Sequence, residues 1–364
     1  MVKIRKKDPD FTILLTTLIL LAIGLVMIFS ASYIIAEESR GDPFFFLRRQ
    51  TFWILLGLGG MFFFANFSYW KLRKLAPLFI IFSFILLIAI YIPGVGVEIN
   101  YARRWIGIGG FTFQPAEFTK FSMVIFTAAY LSSKRVRLHD FWSSSFVPLL
   151  IMGLSFLLIL KQPDLGTALA IAMTTVLIIF SAGIPLKHLL TVGGVALPAL
   201  IYFMVSEEYR LKRLMSFRDP WADELGTGYQ LIQSLYALGS GRIFGVGLGR
   251  SRQKLYYLPE PQNDFIFAVI AEELGLIGGI VVILLFFMLM WRGFKISLTA
   301  PDLFGSLLAV GLTMMIGLQV LVNIGVVTGS IPVTGINLPL ISAGGSSVFF
   351  TLCAVGVILN ISRY

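Results

Sequence analysis

Charge is scarce in this chain. Only 13% of its 364 residues are Asp, Glu, Lys or Arg, roughly half the share that a soluble globular chain carries. There is one cysteine, Cys353, inside an apolar run, which excludes a disulfide scaffold and a cysteine-based metal site. The two histidines, His139 and His188, lie far apart in short turns, so a histidine-rich metal site is excluded too. No Ser/His or Cys/His pair suggests itself for nucleophilic catalysis, and no internal repeat of the kind built into ion-coupled transporters is evident. What fills the chain instead is hydrocarbon: 57% hydrophobic residues, 33 phenylalanines and a mean hydropathy of +0.87. That composition belongs to a polytopic membrane protein.

Ten apolar stretches read as transmembrane helices: 11–30, 52–67, 77–91, 116–131, 146–160, 165–182, 189–205, 265–290, 304–327 and 342–360. The expected fold class is therefore an all-α polytopic membrane protein, a single domain over 1–364, with a large extracytoplasmic loop, 206–264, between the seventh and eighth spans. The first span is too long for a removed signal peptide. Basic residues orient the stack: Lys3, Arg5, Lys6, Lys7, Lys71, Arg73, Lys74, Lys134, Arg135, Arg137, Lys187, Arg292, Lys295 and Arg363 fall on one side. They outnumber Arg40, Arg48, Arg49, Arg103, Arg104 and Lys161 on the other, which puts both termini in the cytoplasm. The net charge of +10 then reflects topology and lipid head groups, not nucleic-acid binding.

Polar chemistry collects on the outward side. Leu258-Pro259-Glu260-Pro261-Gln262-Asn263-Asp264 carries an acid to the point where a polar loop meets a long apolar helix. A carboxylate there is costly to desolvate, and its proline-pinned approach fixes its position. Asp264 is the first candidate for catalysis, with helix capping as the plain alternative. Glu117 and Lys120, three apart on one helix face, form either a structural ion pair or a ligand-binding pair in which Lys120 holds an anion. Asp164 opens a span, so it caps a helix or serves a site. Trp105, beside Arg103 and Arg104, is a belt residue or a platform for a sugar ring. Glu272 and Glu273 point to different sides of their helix, and at least one must face the bundle interior.

Two glycine-rich stretches need a separate reading. Residues 239–250, with glycines at 239, 241, 245, 247 and 249, lack the Gly-Lys-Ser/Thr ending and βαβ setting of a nucleotide loop. They suit a tight backbone packed against helices. Residues 325–335 and 338–347, rich in Gly, Pro and Ser, read as a re-entrant or outer turn, and such backbone at membrane depth normally lines a cavity.

Taken together, these segments resemble the SEDS family of polytopic peptidoglycan glycosyltransferases, most closely its FtsW- and SpoVE-like division and sporulation branch, with RodA-type proteins related. The resemblance rests on Arg104-Trp105-Ile106-Gly107, Gln114-Pro115-Ala116-Glu117-Phe118-Thr119-Lys120, Gln162-Pro163-Asp164-Leu165-Gly166-Thr167 and Tyr209-Arg210-Leu211-Lys212-Arg213. It extends through Asp219-Pro220-Trp221, the run from Gly228 to Ala237, Leu258 to Gly275, Asn323 to Gly329 and Gly344-Gly345-Ser346-Ser347, and so covers essentially the whole chain. It departs from the family at Gln262-Asn263, where members often have His-Thr, and at Ala343, where many have Tyr.

The resemblance implies polymerisation of lipid II, an undecaprenyl-pyrophosphoryl disaccharide-pentapeptide, at the outer face of a bacterial cytoplasmic membrane. It also implies a class B penicillin-binding protein as partner, among divisome-type membrane proteins. It assigns the catalytic acid to Asp264 and functional roles to Trp105, Glu117, Lys120, Asp164 and Arg213. Inverting transfer needs a base for the acceptor hydroxyl, for which one carboxylate suffices. It also needs cations for the departing pyrophosphate, for which Lys120, Arg210 and Arg213 are the natural choices. Glu260 and Gln262 complete the expected substrate contacts. Spread carboxylates define no metal site, though Glu117 or Asp164 leaves room for a divalent cation, magnesium or manganese. A lipid II flippase and a non-catalytic scaffold for the transpeptidase are the competing readings. The first requires charge along an inside-to-outside path, and the second leaves the outer acids and bases without a purpose.

Overall fold

The structure, a computed structural model, describes residues 7–99, 102–108, 111–134, 136–205, 208–255 and 257–364. Lys3, Arg5, Lys6 and Arg135, basic residues that helped to orient the stack, lie outside them, as does the loop's first residue, Ser206. The chain opens with α1 (Phe11–Arg40), α2 (Phe45–Asn66) and α3 (Tyr69–Ala89). Three strands come next, β1 (Gly96–Ile99), β2 (Ala102–Ile108) and β3 (Phe111–Phe113). Then come α4 (Pro115–Leu131), the short α5 (Phe141–Ser144), α6 (Phe146–Leu160), α7 (Leu165–Ser181), α8 (Leu186–Val205), α9 (Glu208–Arg218) and α10 (Tyr229–Gly241). The long α11 (Ile266–Thr299), α12 (Leu303–Val327) and α13 (Gly345–Ile361) complete it.

Each of the ten apolar stretches forms a helix. Five helices among the described residues are long and apolar enough to cross a membrane, namely α1, α3, α8, α11 and α12, and α6, α7 and α13 are shorter apolar helices. This is a multi-pass helical membrane protein. Several helices outrun their apolar stretches. α1 continues to Arg40, α2 begins at Phe45 ahead of Arg48 and Arg49, α11 continues to Thr299, and α3 begins at Tyr69 and holds Pro77 in its interior. Long basic side chains at helix ends reach toward the polar layer while the backbone stays helical, so hydropathy alone ends such helices too early.

The fold is not wholly helical. Residues 96–113 make a three-stranded antiparallel sheet in the order β1-β2-β3, with Trp105 paired to Val97 and Ile106 to Phe113. Its few charged residues, Glu98, Arg103 and Arg104, break up the β-branched and aromatic ones, so a reading by apolar runs passes over so short and mixed a segment as a turn. The inner helices are α4 and α13. Most of their residues are buried, including Glu117 and Lys120 on α4 and Ser346 and Ser347 on α13.

The glycine-rich segment after α10 folds back along α11. The amide of Val246 donates to the Glu272 carbonyl at 3.0 Å and that of Gly247 to the Glu273 carbonyl at 3.1 Å. In the other direction, Leu276 donates to the Arg242 carbonyl at 2.9 Å. Gly275 breaks the helix with φ 68° and ψ −168°, and a Cβ there would collide with the backbone of Ile243 and Gly245. Only glycine permits that crossing. Glu272 and Glu273 clamp residues 251–254. Both acids are 1% exposed, so both face inward. Glu273 accepts from Ser30 Oγ at 2.8 and 2.7 Å, from Lys254 Nζ at 2.8 Å and from the Ser251 amide at 3.3 Å. Glu272 accepts from the hydroxyl of Ser251 and from the amide of Arg252 at 3.0 Å. The buried acids of α11 thus hold the loop that leads to Asp264.

Candidate active site

Three helix N-termini meet through Gln114. This residue precedes Pro115, whose missing N–H costs nothing at the start of α4. Its side-chain amide donates to Asp164 Oδ2 at 3.1 Å, and its backbone amide donates to Ser346 Oγ at 3.3 Å, joining α4 to the first turns of α7 and α13. One turn into α4, Lys120 Nζ stands 2.9 Å from Glu117 Oε1 in a nearly dry ion pair. Asp164 caps α7, accepting from the Thr167 amide at 3.1 Å and the Thr167 hydroxyl at 2.9 Å. Its capping and its link to Gln114 coexist, so neither reading of Asp164 displaces the other.

The sheet braces this corner. Arg104 Nε donates to the Gln162 carbonyl at 3.0 Å, and its Nη2 donates to the carbonyl of Pro163, which fixes the turn that presents Asp164. Trp105, next along β2, lies half-buried on the opposite face of the sheet. The hydrogen bonds that join Glu117, Lys120 and Asp164 to their neighbours do not include Trp105.

Asp264 sits two residues before α11. The N-cap position of that helix is Phe265, with no side-chain cap, so Asp264 is not a capping residue. Its backbone carbonyl accepts from Asn323 Nδ2 at 2.6 Å, and the same amide group donates to the Ile336 carbonyl at 2.8 Å. One residue of α12 thereby positions both the acid and the glycine-rich segment 328–344. That segment bridges the two acids. On one side Gly166, at the start of α7, lies so close that a Cβ would come within 2.7 Å of the Thr334 carbonyl. On the other, a Cβ on Gly335 would stand 4.0 Å from Asp264 Oδ2. The Gln262 carbonyl accepts from the Ala343 amide at 2.9 Å, tying the approach to Asp264 to the start of α13.

The Asp264 carboxyl is pushed up to about 6, chiefly by desolvation in the surrounding protein and in smaller part by the Glu260 charge, while its own backbone amide and Arg213 act in the opposite direction. Glu260 is exposed with φ 45° and accepts from Asn263 Nδ2 at 2.6 Å. Arg213 and Arg210 lie on α9, and Arg210 Nη1 donates to the Phe203 carbonyl at 2.8 Å, at the corner between α8 and α9. The structure therefore brings Glu117, Lys120, Asp164, Gln262 and Asp264 around one set of helix starts. It relates Arg213 and Glu260 to Asp264 by charge.

Among the neutral groups between the acids, the sequence singled out Gln262 and passed over the others. Gln162 Oε1, Gln262 Oε1, Asn323 Oδ1, Thr334 Oγ1 and Ser347 Oγ are all buried with no hydrogen-bond partner. Buried polar atoms are normally satisfied, so five orphans on neighbouring segments mark a place built for a polar ligand. For Thr334 and Ser347 the signal in the sequence was the Gly/Pro/Ser composition of 325–347 at membrane depth. Among the described residues no three His, Cys, Asp or Glu side chains cluster as metal ligands.

Residues 11–364 match the model of the FtsW/RodA/SpoVE family, described as cell cycle proteins. The chain is 50% identical over 361 residues to stage V sporulation protein E of Bacillus subtilis (strain 168), covering 99% of this chain and 98% of that protein. It is 40% identical over 358 residues to a probable peptidoglycan glycosyltransferase FtsW of Geobacter sp. (strain M18), covering 98% of each. Among solved structures, a chain from a peptidoglycan synthase complex that coordinates polymerization and crosslinking superposes with a TM-score of 0.79 at 31% identity, over 98% of each chain. The rod shape determining protein RodA of Thermus thermophilus superposes with a TM-score of 0.72 at 31% identity, again over 98% of each. The match spans every segment that builds the site, and the chain belongs to the FtsW/RodA/SpoVE family of cell cycle proteins.

Proposed function

We propose that this chain is a peptidoglycan glycosyltransferase that polymerises lipid II at the outer face of the cytoplasmic membrane, with Asp264 as general base. The supporting observation is a desolvated carboxyl at a helix boundary, surrounded by buried polar atoms without partners and flanked by a buried Lys–Glu pair. In one inverting step, Asp264 takes the proton of the acceptor hydroxyl. The hydroxyl oxygen bonds to the anomeric carbon of the donor sugar, the bond from that carbon to the pyrophosphate oxygen breaks, and its electron pair leaves with the pyrophosphate. A base raised to about 6 is ionised at neutral pH yet basic enough to accept a proton. Lys120, Arg210 and Arg213 balance the leaving charge. Glu117, Asp164, Glu260, Gln262 and Trp105 contact and orient the sugars.

The ten helices that hold the apolar stretches span the membrane in this reading, with both termini cytoplasmic and 206–264 outside, which puts Asp264 at the external boundary. The partner in this reading is a class B penicillin-binding protein among other divisome-type membrane proteins; the likeness to a chain from a synthase complex that coordinates polymerization and crosslinking supports a crosslinking partner. A resident magnesium or manganese ion suits the residues poorly. Glu117 is committed to Lys120, and Asp164 to Thr167 and Gln114. No step runs through a metal.

Purified chain with its partner and labelled lipid II is expected to yield glycan polymer in the presence of penicillin. Transfer of lipid II across liposomes without polymer would favour a flippase, and neither polymer nor transfer would favour the scaffold.

A further inference from the structure

The glycosyl-transfer chemistry gives no role to the first turn of α13. Gly344 occupies its N-cap with φ −151° and supplies no side-chain cap, so the amides of Gly345, Ser346 and Ser347 lie outside the helical ladder. Neither glycine has room for a side chain: a Cβ on Gly344 would meet Asn337 Nδ2 at 2.6 Å, and one on Gly345 would collide with the Trp53 indole. Ser347 is 5% exposed, its hydroxyl has no partner, and its Cβ lies 3.4 Å from the point where a Gly344 Cβ would stand, so it leans over the helix start. Thr334 Oγ1 is a second buried hydroxyl without a partner, on the segment that leads into this turn. The Gln262–Ala343 hydrogen bond at 2.9 Å holds the turn beside the approach to Asp264.

We infer that residues 344–347 form the cradle for the diphosphate of the lipid-linked sugar donor, an inference that rests on the proposed glycosyl-transfer function. Free amides at the positive end of a helix, with an unspent hydroxyl among them, are the donor set an anion requires. A diphosphate bears several acceptor oxygens and no donors, which matches a site of amides and hydroxyls. Of the acids at these helix starts, Glu117 is neutralised by Lys120, and Asp164 already accepts from the Thr167 amide and hydroxyl and from Gln114. The cradle thus divides the work with Asp264. The helix start binds the leaving group, while the carboxylate serves the acceptor.

The test uses full-length protein in detergent and three competitors of lipid II binding: undecaprenyl diphosphate, undecaprenol and inorganic pyrophosphate. Ser347→Ala is expected to weaken undecaprenyl diphosphate about ten-fold or more, since a hydrogen bond to a charged group is lost. It should leave undecaprenol unchanged, and melting should be equal or higher, because an orphaned hydroxyl has been removed. Ser347→Thr should restore binding. Ser347→Asp complements the helix end and keeps the fold but repels the anion, so it should lose diphosphate competition altogether. Competition by pyrophosphate alone, lost in the same variants, would show that the anion suffices for recognition. If Ser347→Ala and Ser347→Asp bind undecaprenyl diphosphate as the wild type does, the cradle is wrong even while polymer is made. If the wild type makes no polymer yet binds the diphosphate in a Ser347-dependent way, the cradle stands and the polymerase reading fails.

Discussion

Replacing Lys254 by Met isolates the clamp that sets the loop before Asp264. Lys254 and Glu273 are 2% and 0% exposed at their side chains and lie 2.8 Å apart. Removing one partner of such a pair strands a buried charge and typically costs about 3–5 kcal/mol. Here Glu273 keeps the Ser30 hydroxyl at 2.7 Å and the Ser251 amide at 3.3 Å. Both offset part of the loss, so the expected cost is near the lower bound, about 3 kcal/mol. The natural control is the Arg103–Glu98 pair, 3.0 Å apart but 54% and 49% exposed. Breaking it by Arg103→Ala should cost under about 1 kcal/mol. Thermal unfolding in detergent, with protease cleavage within 242–254 as a local readout, separates the two. Lys254→Met should melt well below Arg103→Ala and be cut earlier, and Lys254→Met with Glu273→Gln should recover most of the difference. If Lys254→Met melts with the control and resists cleavage as the wild type does, the buried acids of α11 are not what holds the loop.

The site's geometry sets four further outcomes. Because the folded chain retains the Asp264 proton up to about pH 6 while an unfolded chain releases it near 4, folding loses stability as pH rises through that window; Asp264→Asn should therefore raise stability at neutral pH by up to about 3 kcal/mol, and an unchanged melting temperature would contradict the desolvation. The same raised group should give wild-type kcat/KM a limb that climbs with pH and levels off above about 6, whereas a flat profile between pH 5 and 7 would argue against a base of this kind. Gly166→Ala places a methyl against the Thr334 carbonyl and should displace the segment bearing Gly335, lowering polymerisation by about ten-fold or more in the fraction that remains folded; wild-type rates would separate that segment from the chemistry. Lys120→Met with Glu117→Gln removes both charges of the pair and should fold better than Lys120→Met alone yet stay at least about ten-fold slower than wild type, while full activity would make the pair purely structural.

Much of this molecule was legible from residue order, and the gaps have physical causes. Apolar runs located a helix at each of the ten stretches, because a sustained run of hydrocarbon side chains leaves an unmistakable record. Their ends were misjudged where Arg48, Arg49 and Lys71 sit on helical turns, since charge ends an apolar run without ending a helix. The sheet at 96–113 was missed because short strands leave a period of two over few residues. Of the acids, Asp264 was placed correctly at a boundary but its capping alternative fell away, while Asp164 proved to cap. At least one of Glu272 and Glu273 was expected to face inward and both do, yet nothing in their spacing named Ser30, Ser251 or Lys254. Neutral groups such as Thr334 and Ser347 were the least legible, because their meaning lies in what they fail to touch.

The most direct measurement is polymerisation of labelled lipid II by purified wild type beside Asp264→Asn, each with the partner transpeptidase inhibited by penicillin. Glycan polymer from the wild type and none from a well-folded, lipid II-binding Asp264→Asn is the predicted result. Polymer at equal rates from both would remove Asp264 from the reaction.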